Sequence, residues 1–278
     1  MTVKIDPKRY LEYGGIEPAR SLDGTAALAY LQPKGFGENY LEQSRAAVKR
    51  RAGEELAFEP GTANYCDFCA RPLMGGEYDL LQDGRERCIS CSRTVVTTNE
   101  GFVAIYQEVR RNLEIVFDIH FSVGITVRME NAKAIARGTN ETYQPTPGFD
   151  ARVLGFASQT TGGYELHIEN GSPKLPSIQT IAHELTHIWQ YRNWNEQAIE
   201  AKYGPGNHGL IYEGMASWAM VQYSYATNEV DFARREAAYT RSRDDEYGAG
   251  FRFFEERYPL RVDGGVLRDT PFKHALPL

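Results

Sequence analysis

Two histidines stand four residues apart in the segment His183-Glu-Leu-Thr-His187. On a helix, residues four apart project from the same face, so both imidazoles can bind one zinc ion. Glu184 lies beside them and can take a proton from a water molecule whose pKa the zinc lowers to about 7. The spacing therefore predicts a zinc-dependent metallopeptidase. The alternative is a pair of surface or core histidines with a coincidental glutamate.

A catalytic zinc takes three protein ligands and keeps a fourth position for water, so the chain after His187 has to supply one more ligand. Glu213 lies in the apolar stretch 212–220, where a lone carboxylate is costly unless it binds a metal or is paired. The alternative is an exposed glutamate on the first turn of a helix. His208 is the rival ligand, but it stands in a glycine-rich loop sequence. The metzincin pattern is excluded because Gln190, not glycine, stands three residues after His187.

All four cysteines fall into two Cys-x-x-Cys pairs, Cys66 with Cys69 and Cys88 with Cys91, separated by 18 residues. Four thiolates at this spacing complete a closed tetrahedral zinc site, which has no open position for substrate. Two disulfides or a redox pair are the alternatives, and the lack of an export signal and of a βαβ pattern disfavours them. A module of about 40 residues buries little core, so we expect the metal to supply most of its folding free energy.

Composition and charge argue against nucleic-acid-binding and membrane proteins. The 278 residues are 42% hydrophobic and carry a formal net charge of -6, which argues against a nucleic-acid partner. The longest apolar run, residues 26–31, is far shorter than the roughly 20 residues that span a bilayer, and the N-terminus lacks the apolar core of a signal peptide. We expect a cytoplasmic protein that acts on a protein or peptide and has no membrane partner.

The elements that must position these residues follow from periodicity. Thr98 and Asn99 can cap a helix whose apolar positions recur at helical spacing, and a second helix, predicted from Ser177 onward, carries the two histidines. Residues 124–130 and 163–169 alternate as strands do, and 138–150 resembles a loop. Between the cysteine pairs, residues 77–84 predict a hairpin that turns at Asp83-Gly84. Together they predict an α+β protein with a small mixed sheet and an active-site helix.

These motifs resemble the peptidase of the plant DA-one proteins and their bacterial relatives, which are gluzincins preceded by a LIM-type zinc module. The resemblance covers about residues 64–260 and is carried, in order, by Cys66-Asp-Phe-Cys69, Asp83-Gly84, Cys88-Ile-Ser-Cys91, the Tyr106-containing helix, Ile181-Ala-His-Glu-Leu-Thr-His187, Glu213-Gly214 and Tyr247-Gly-Ala-Gly-Phe251. It implies an N-terminal region of unknown role at 1–60, a LIM-like zinc-ribbon module at 61–98, a thermolysin-like domain at 99–260 and a C-terminal tail at 261–278.

The resemblance also implies roles for single residues. It makes His183, His187 and Glu213 the ligands of a catalytic zinc, favouring Glu213 over His208, and it makes Glu184 catalytic. Tyr247 would donate a hydrogen bond to the oxyanion of the transition state. A structural zinc in the four-cysteine module brings the total to two zinc ions.

The resemblance says less about how the substrate is bound and which partners the protein has than about the metal ligands. Related peptidases hold their substrate by strand addition on an edge strand ahead of the helix, a role that residues 163–169 would take here; an ordinary sheet strand is the alternative. The plant proteins carry ubiquitin-interacting motifs and a second zinc position in the LIM domain, whereas this chain has four cysteines in all. Ubiquitin coupling is therefore not inferred.

Two other function classes compete with the peptidase. The first is a non-catalytic zinc-binding scaffold or protein-interaction module that retains the peptidase fold, against which the intact Glu184 argues. The second is a zinc-ribbon protein that binds nucleic acid or a partner, with an incidental histidine pair, which the acidic net charge disfavours.

Overall fold

The computed structural model describes residues 65–71, 73, 78–81, 85–139, 154–243, 245–262, 267 and 269–274. The predicted N-terminal region 1–60 lies outside these residues. So do the turn at Asp83-Gly84 and nearly all of the predicted loop at 138–150. Within the described ranges the chain is a mixed α+β protein, as predicted.

The four-cysteine region forms a small hairpin followed by one helical turn. Strand β1 (Tyr78–Leu80) pairs antiparallel with β2 (Glu86–Cys88), which confirms the predicted hairpin. Helix α1 (Ile89–Ser92) follows directly, and the thiol of Cys88 caps it by accepting a hydrogen bond from the Cys91 N–H.

The next helix, α2 (Asn99–Phe117), has the N-cap that the sequence predicted. The side chain of Thr98 accepts a hydrogen bond from the Gly101 N–H at 3.1 Å, which satisfies one of the unpaired donors of the first turn. The apolar positions of the predicted face are buried: Phe102, Ile105, Tyr106, Val109 and Leu113.

A three-stranded mixed sheet follows, with the strand order β3-β5-β4. Strand β3 (Ile125–Glu130) runs parallel to β5 (Gly163–Glu169), and β4 (Gly155–Thr160) runs antiparallel to β5. Both edges of β5 are thus paired, so it has no free edge to which a peptide could be added. The prediction that residues 163–169 bind substrate as an edge strand is therefore wrong. Strand β4, which the sequence did not reveal, is an edge strand of the sheet that the described residues form. A short helix, α3 (Ala132–Gly138), precedes it.

Five helices complete the described fold: α4 (Lys174–Asn193), α5 (Glu196–Tyr203), α6 (His208–Ala226), α7 (Val230–Ser242) and α8 (Glu246–Arg257), followed by a 3₁₀ turn at Pro271–Lys273. Helix α4 begins three residues before the predicted Ser177, because Pro176 lies in the first turn, where no N–H is needed for the helix. His208 is the first residue of α6 rather than part of a loop.

The core lies where α4 and α6 pack together between the sheet, α2 and α8. Its largest fully buried side chains include Trp218, Phe117, Leu166 and Phe254. In α4 every residue from 181 to 190 is buried, and α6 is apolar around most of its circumference, which is typical of a central helix. No helix in the described ranges is long and apolar enough to cross a membrane.

Candidate metal centre

Three side chains from α4 and α6 converge on one point. The Nε2 atoms of His183 and His187 lie 3.0 Å apart, and Oε2 of Glu213 lies 3.0 Å from the first and 3.3 Å from the second. Ligand atoms about 3.3 Å apart surround a tetrahedral ion with bonds of about 2.0–2.1 Å. The three atoms therefore fit as ligands of one metal ion.

Glu213 owes its position to helix α6. It is the only Asp, Glu, Lys or Arg residue within that helix, and its side chain is 24% exposed. A carboxylate in such apolar surroundings needs a cation or donors as partners, and the two histidines are its partners here. The alternative of an exposed glutamate on the first turn does not describe this residue.

The orientation of His187 is fixed by Gln190, one turn further along α4. Nε2 of Gln190 donates to the carbonyl oxygen of Tyr212 at 3.0 Å, so Oε1 of the same amide faces Nδ1 of His187 at 2.8 Å. Nδ1 therefore carries a proton, and Nε2 is the ring nitrogen that faces Glu213 and the metal position. In the sequence, Gln190 served only to exclude a metzincin. A polar side chain directly after Ile188 and Trp189 was the feature that could have indicated its role.

The charges of these groups are strongly coupled. Burial would raise the pKa of Glu213, but the charges and hydrogen bonds of His187 and His183 hold it well below its usual range. Burial would likewise lower the pKa of His187, but the Glu213 carboxylate raises it to about 9. The site thus favours a positive charge between these residues, whether it is a proton or a metal ion.

Glu184 lies beside the group on the side of the sheet. It is 7% exposed, and burial raises the pKa of its carboxyl group, although the Ala157 N–H donates to it and partly offsets the rise. Among the described strands β4 pairs only with β5, so alternate N–H groups of β4 face away from that partner. That of Ala157 orients the Glu184 carboxylate.

Tyr247 reaches the centre from the first turn of α8. Its ring lies nearly parallel to that of His183, with centroids 6.1 Å apart. The guanidinium of Arg243 lies over the Tyr247 ring, 4.5 Å from its centroid. Burial and the negative charge of Glu213 raise the pKa of Tyr247 well above its usual range. The hydroxyl group therefore stays protonated and remains a hydrogen-bond donor.

A glycine contact holds α8 against α6. A Cβ atom at Gly214 would lie 2.4 Å from the Cα of Gly250, and a Cβ at Gly250 would lie 2.2 Å from the carbonyl oxygen of Leu210. Neither position has room for a side chain. Since Gly214 follows Glu213 and Gly250 lies one turn after Tyr247, this contact places the tyrosine beside the carboxylate.

His208, the rival ligand, is not in the group. Its Nε2 lies 3.6 Å from Oε1 of Glu196, and its ring stacks on Tyr212 with centroids 4.0 Å apart. The structure brings Glu213, not His208, to His183 and His187.

The four cysteines form a second group, and their Sγ atoms all lie within 4.8 Å of one another. The sulfurs of Cys69 and Cys88 are 3.8 Å apart, which is about the separation of thiolates around a tetrahedral ion with bonds of about 2.3 Å. All four are free thiols, so the disulfide alternative does not describe them. The backbone N–H of Cys88 donates to the sulfur of Cys66 at 3.3 Å.

Comparison with known proteins leaves the family open. No protein-family model, curated protein or solved structure matches the chain. Among the described residues, two groups of side chains can hold a metal ion: the four cysteines, and His183 with His187 and Glu213. The function has to be inferred from these two groups.

Proposed function

We propose that this chain is a zinc-dependent metallopeptidase of the gluzincin type, related to the DA-one peptidases that its motifs resemble. The observation that carries the proposal is the triangle of two imidazole nitrogens and one carboxylate oxygen, 3.0–3.3 Å apart, with Glu184 buried beside it. Two histidines and a carboxylate form a ligand set typical of catalytic zinc, and four thiolates one typical of structural zinc.

Glu184 is the proton carrier of the proposed reaction. Zinc held by His183, His187 and Glu213 would supply a Lewis acid that makes a water molecule acidic at neutral pH. Glu184 accepts the proton of the attacking water and passes it to the amine nitrogen when the peptide bond breaks. Its burial-raised pKa suits a group that must both take and give a proton near neutral pH.

Tyr247 and β4 complete the proposed site. The Tyr247 hydroxyl, kept protonated by its surroundings, donates a hydrogen bond to the peptide oxygen as negative charge develops on it. Strand β4 takes the substrate-holding role that the sequence had assigned to 163–169. No other strand of the described ranges pairs with its outer edge, and its Ala157 N–H bonds to Glu184, so a peptide added there would pass the proton carrier.

Glu184 also argues against a non-catalytic scaffold. The metal group needs only His183, His187 and Glu213. Glu184 adds a second carboxyl to the site, and because burial raises its pKa, it lowers the stability of the fold when it is ionised. Perturbed carboxyl groups of this kind cluster at catalytic sites. A scaffold that only binds zinc gains nothing from this residue.

The test is Glu184→Gln, which keeps the shape of the side chain and removes the base. We expect two zinc ions per chain by elemental analysis, as in the wild type, with cleavage of a peptide library reduced by about a hundredfold or more. Glu196→Gln is the matched control, since Glu196 is an exposed glutamate whose side chain is 68% exposed, and it should cleave normally. Undiminished cleavage by Glu184→Gln would refute the proposal.

A further inference from the structure

An exposed aromatic side chain borders the metal centre. Tyr191 follows His187 by four residues, so both lie on the same face of α4, and their rings are nearly parallel, with centroids 6.1 Å apart and an angle of 19°. Tyr191 is 50% exposed, although it directly follows the fully buried run 181–190. The other exposed large hydrophobic side chains of the described ranges are Tyr78, Leu80, Ile115 and Val262, and none of them belongs to α4 or α6.

Tyr191 is the most exposed member of a row of stacked rings. It stacks on Tyr212 with centroids 5.9 Å apart at 28°, and Tyr212 stacks in turn on His208. We call the four rings of His187, Tyr191, Tyr212 and His208 the aromatic row. Tyr212 is buried at 4% exposure, so it supports the row from below while Tyr191 presents a ring to solvent.

Neighbouring groups fix the position of Tyr212 within the aromatic row. The ring of Trp194 packs edge-on against Tyr212, with centroids 5.4 Å apart, and the Tyr212 carbonyl is bonded to Gln190. A ring that is supported in this way loses little conformational entropy when a second ring packs on it. The Tyr191 ring is thus pre-organised for binding.

The Tyr191 ring also lies beside the proposed catalytic groups, because its centroid is 6.1 Å from that of the His187 ring. Half of the residue's surface remains open. A substrate residue close to the bond being cut would meet the exposed part of the ring.

We propose that Tyr191 is a specificity-determining residue, which binds an aromatic side chain of the peptide substrate next to the bond that is cut. This proposal rests on the proposed peptidase function. Aromatic pairs gain about 0.5–1.5 kcal/mol beyond the burial of their area.

The test compares Tyr191→Ala and Tyr191→Phe on alanine-based peptides that carry one phenylalanine, one lysine or one glycine at each position in turn. The wild type should cleave the best phenylalanine peptide most efficiently. Tyr191→Ala should lose that preference, with kcat/KM for this peptide about 2- to 10-fold lower and the glycine peptides unchanged. Tyr191→Phe should retain the preference. Ile115→Ala, which truncates a side chain of 58% exposure on α2, is the control and should behave as the wild type.

A binding measurement separates this proposal from the function on which it rests. Zinc-loaded Glu184→Gln protein should bind the phenylalanine peptide more tightly than its glycine counterpart by calorimetry, and Tyr191→Ala in the same background should abolish the difference. If no variant cleaves but this difference persists, the peptidase function fails and the subsite stands. An equal loss for all peptides, a preference for lysine, or a loss in Tyr191→Phe equal to that in Tyr191→Ala would overturn the subsite.

Discussion

At the scale of single residues, the side-chain amide of Gln190 orients the groups of the proposed metal centre. Gln190 is fully buried, and its two amide atoms bond to partners on different helices: Nδ1 of His187 on α4 and the carbonyl of Tyr212 on α6. Tyr212 directly precedes Glu213. Gln190 therefore orients one metal ligand and anchors the backbone of another, without touching the metal position itself.

Gln190→Met should weaken the metal centre while preserving the fold. Methionine fills a similar volume but provides neither the acceptor for His187 nor the donor for Tyr212, and loss of such an outer partner lowers metal affinity by about 10–100-fold. Zinc affinity of the three-residue site, measured by competition with a chelator, checks this. Gln179→Met is the control, because Gln179 is also a buried glutamine of α4 but bonds to Ser224, away from the metal group. Equal losses in both variants would contradict the assigned role.

The pH dependence of metal binding follows from His187. Its Nδ1 is bonded to Gln190, so a proton added to the ring goes to Nε2, where it competes with the metal. With the metal-free pKa at about 9, binding must displace this proton at any lower pH, and affinity should fall about tenfold per pH unit on acidification. In the metal-free chain, the charged His187–Glu213 pair stabilises the fold most between about pH 4.5 and about pH 6.5. The His187 contribution is lost as the pH rises through about 9, and the Glu213 contribution is lost as the pH falls below about 4.5.

Chelator competition over a range of pH values checks the slope. Glu213→Gln removes the charge that raises the His187 pKa, so in that variant the fall in affinity should begin at a lower pH, from a weaker starting value. An affinity for the wild type that does not change between about pH 9 and about pH 7 would contradict this account.

At the scale of elements, the contact between α6 and α8 decides whether Tyr247 can serve the centre. Two helices approach this closely only where both contribute glycine, here Gly214 and Gly250. This contact brings together two motifs that are distant in the sequence, Glu213-Gly214 and Tyr247-x-x-Gly250.

Gly214→Ala should therefore force the two helices apart. We expect a loss of about 1–3 kcal/mol in the free energy of unfolding, together with a lower kcat for peptide cleavage as Tyr247 moves away. Gly209→Ala is a matched control in the same helix, because a Cβ there would meet Glu246 at an ordinary 3.6 Å. Chemical denaturation and kinetics on both variants check the prediction. An effect of Gly214→Ala no larger than that of Gly209→Ala would contradict it.

The elements differ in how far the sequence could predict them. Helix α2 and strand β3 follow from local signals, namely the cap at Thr98 and the regular apolar spacing, and the histidine pair follows from the geometry of a helix. Strand β4 has no such signal, because Gly155-Phe-Ala-Ser-Gln-Thr160 is mostly small and polar and becomes a strand through its pairing with β5. The assignment of 163–169 as the edge strand failed for the same reason. The aromatic row was equally hidden, since it joins residues of two helices.

At the scale of the whole molecule, the four-cysteine module contacts the rest of the described fold at several points. The Arg85 guanidinium bonds to Glu169 at the end of β5, at 2.5 Å and with both side chains 5% exposed. Arg235 of α7 donates to the carbonyl of Cys69, and Phe232 of the same helix packs among the cysteines. The module thus shares its apolar core with α7, so we expect the metal and these contacts to stabilise it together.

Arg85→Met tests this attachment. Glu169 would be left buried without its cation, which costs about 3–5 kcal/mol in a buried pair, and hydrogen exchange should rise at 170–173, the segment that leads into α4. Arg128→Met, which breaks the exposed pair with Glu165, should leave the unfolding free energy nearly unchanged. Unaltered stability of Arg85→Met would mean that the module is not anchored by this pair.

The central claim is that one of two zinc ions, held by His183, His187 and Glu213, makes the chain a peptidase. It is tested most directly by adding zinc stepwise to the metal-free chain while following peptide cleavage. A part of the zinc is replaced by cobalt, whose thiolate absorption shows when the four-cysteine site fills. Cleavage should appear only with the second equivalent, and Glu213→Gln should fill the cysteine site normally yet stay inactive. Full activity with one equivalent in the cysteine site, or no cleavage with both sites filled, would contradict the claim.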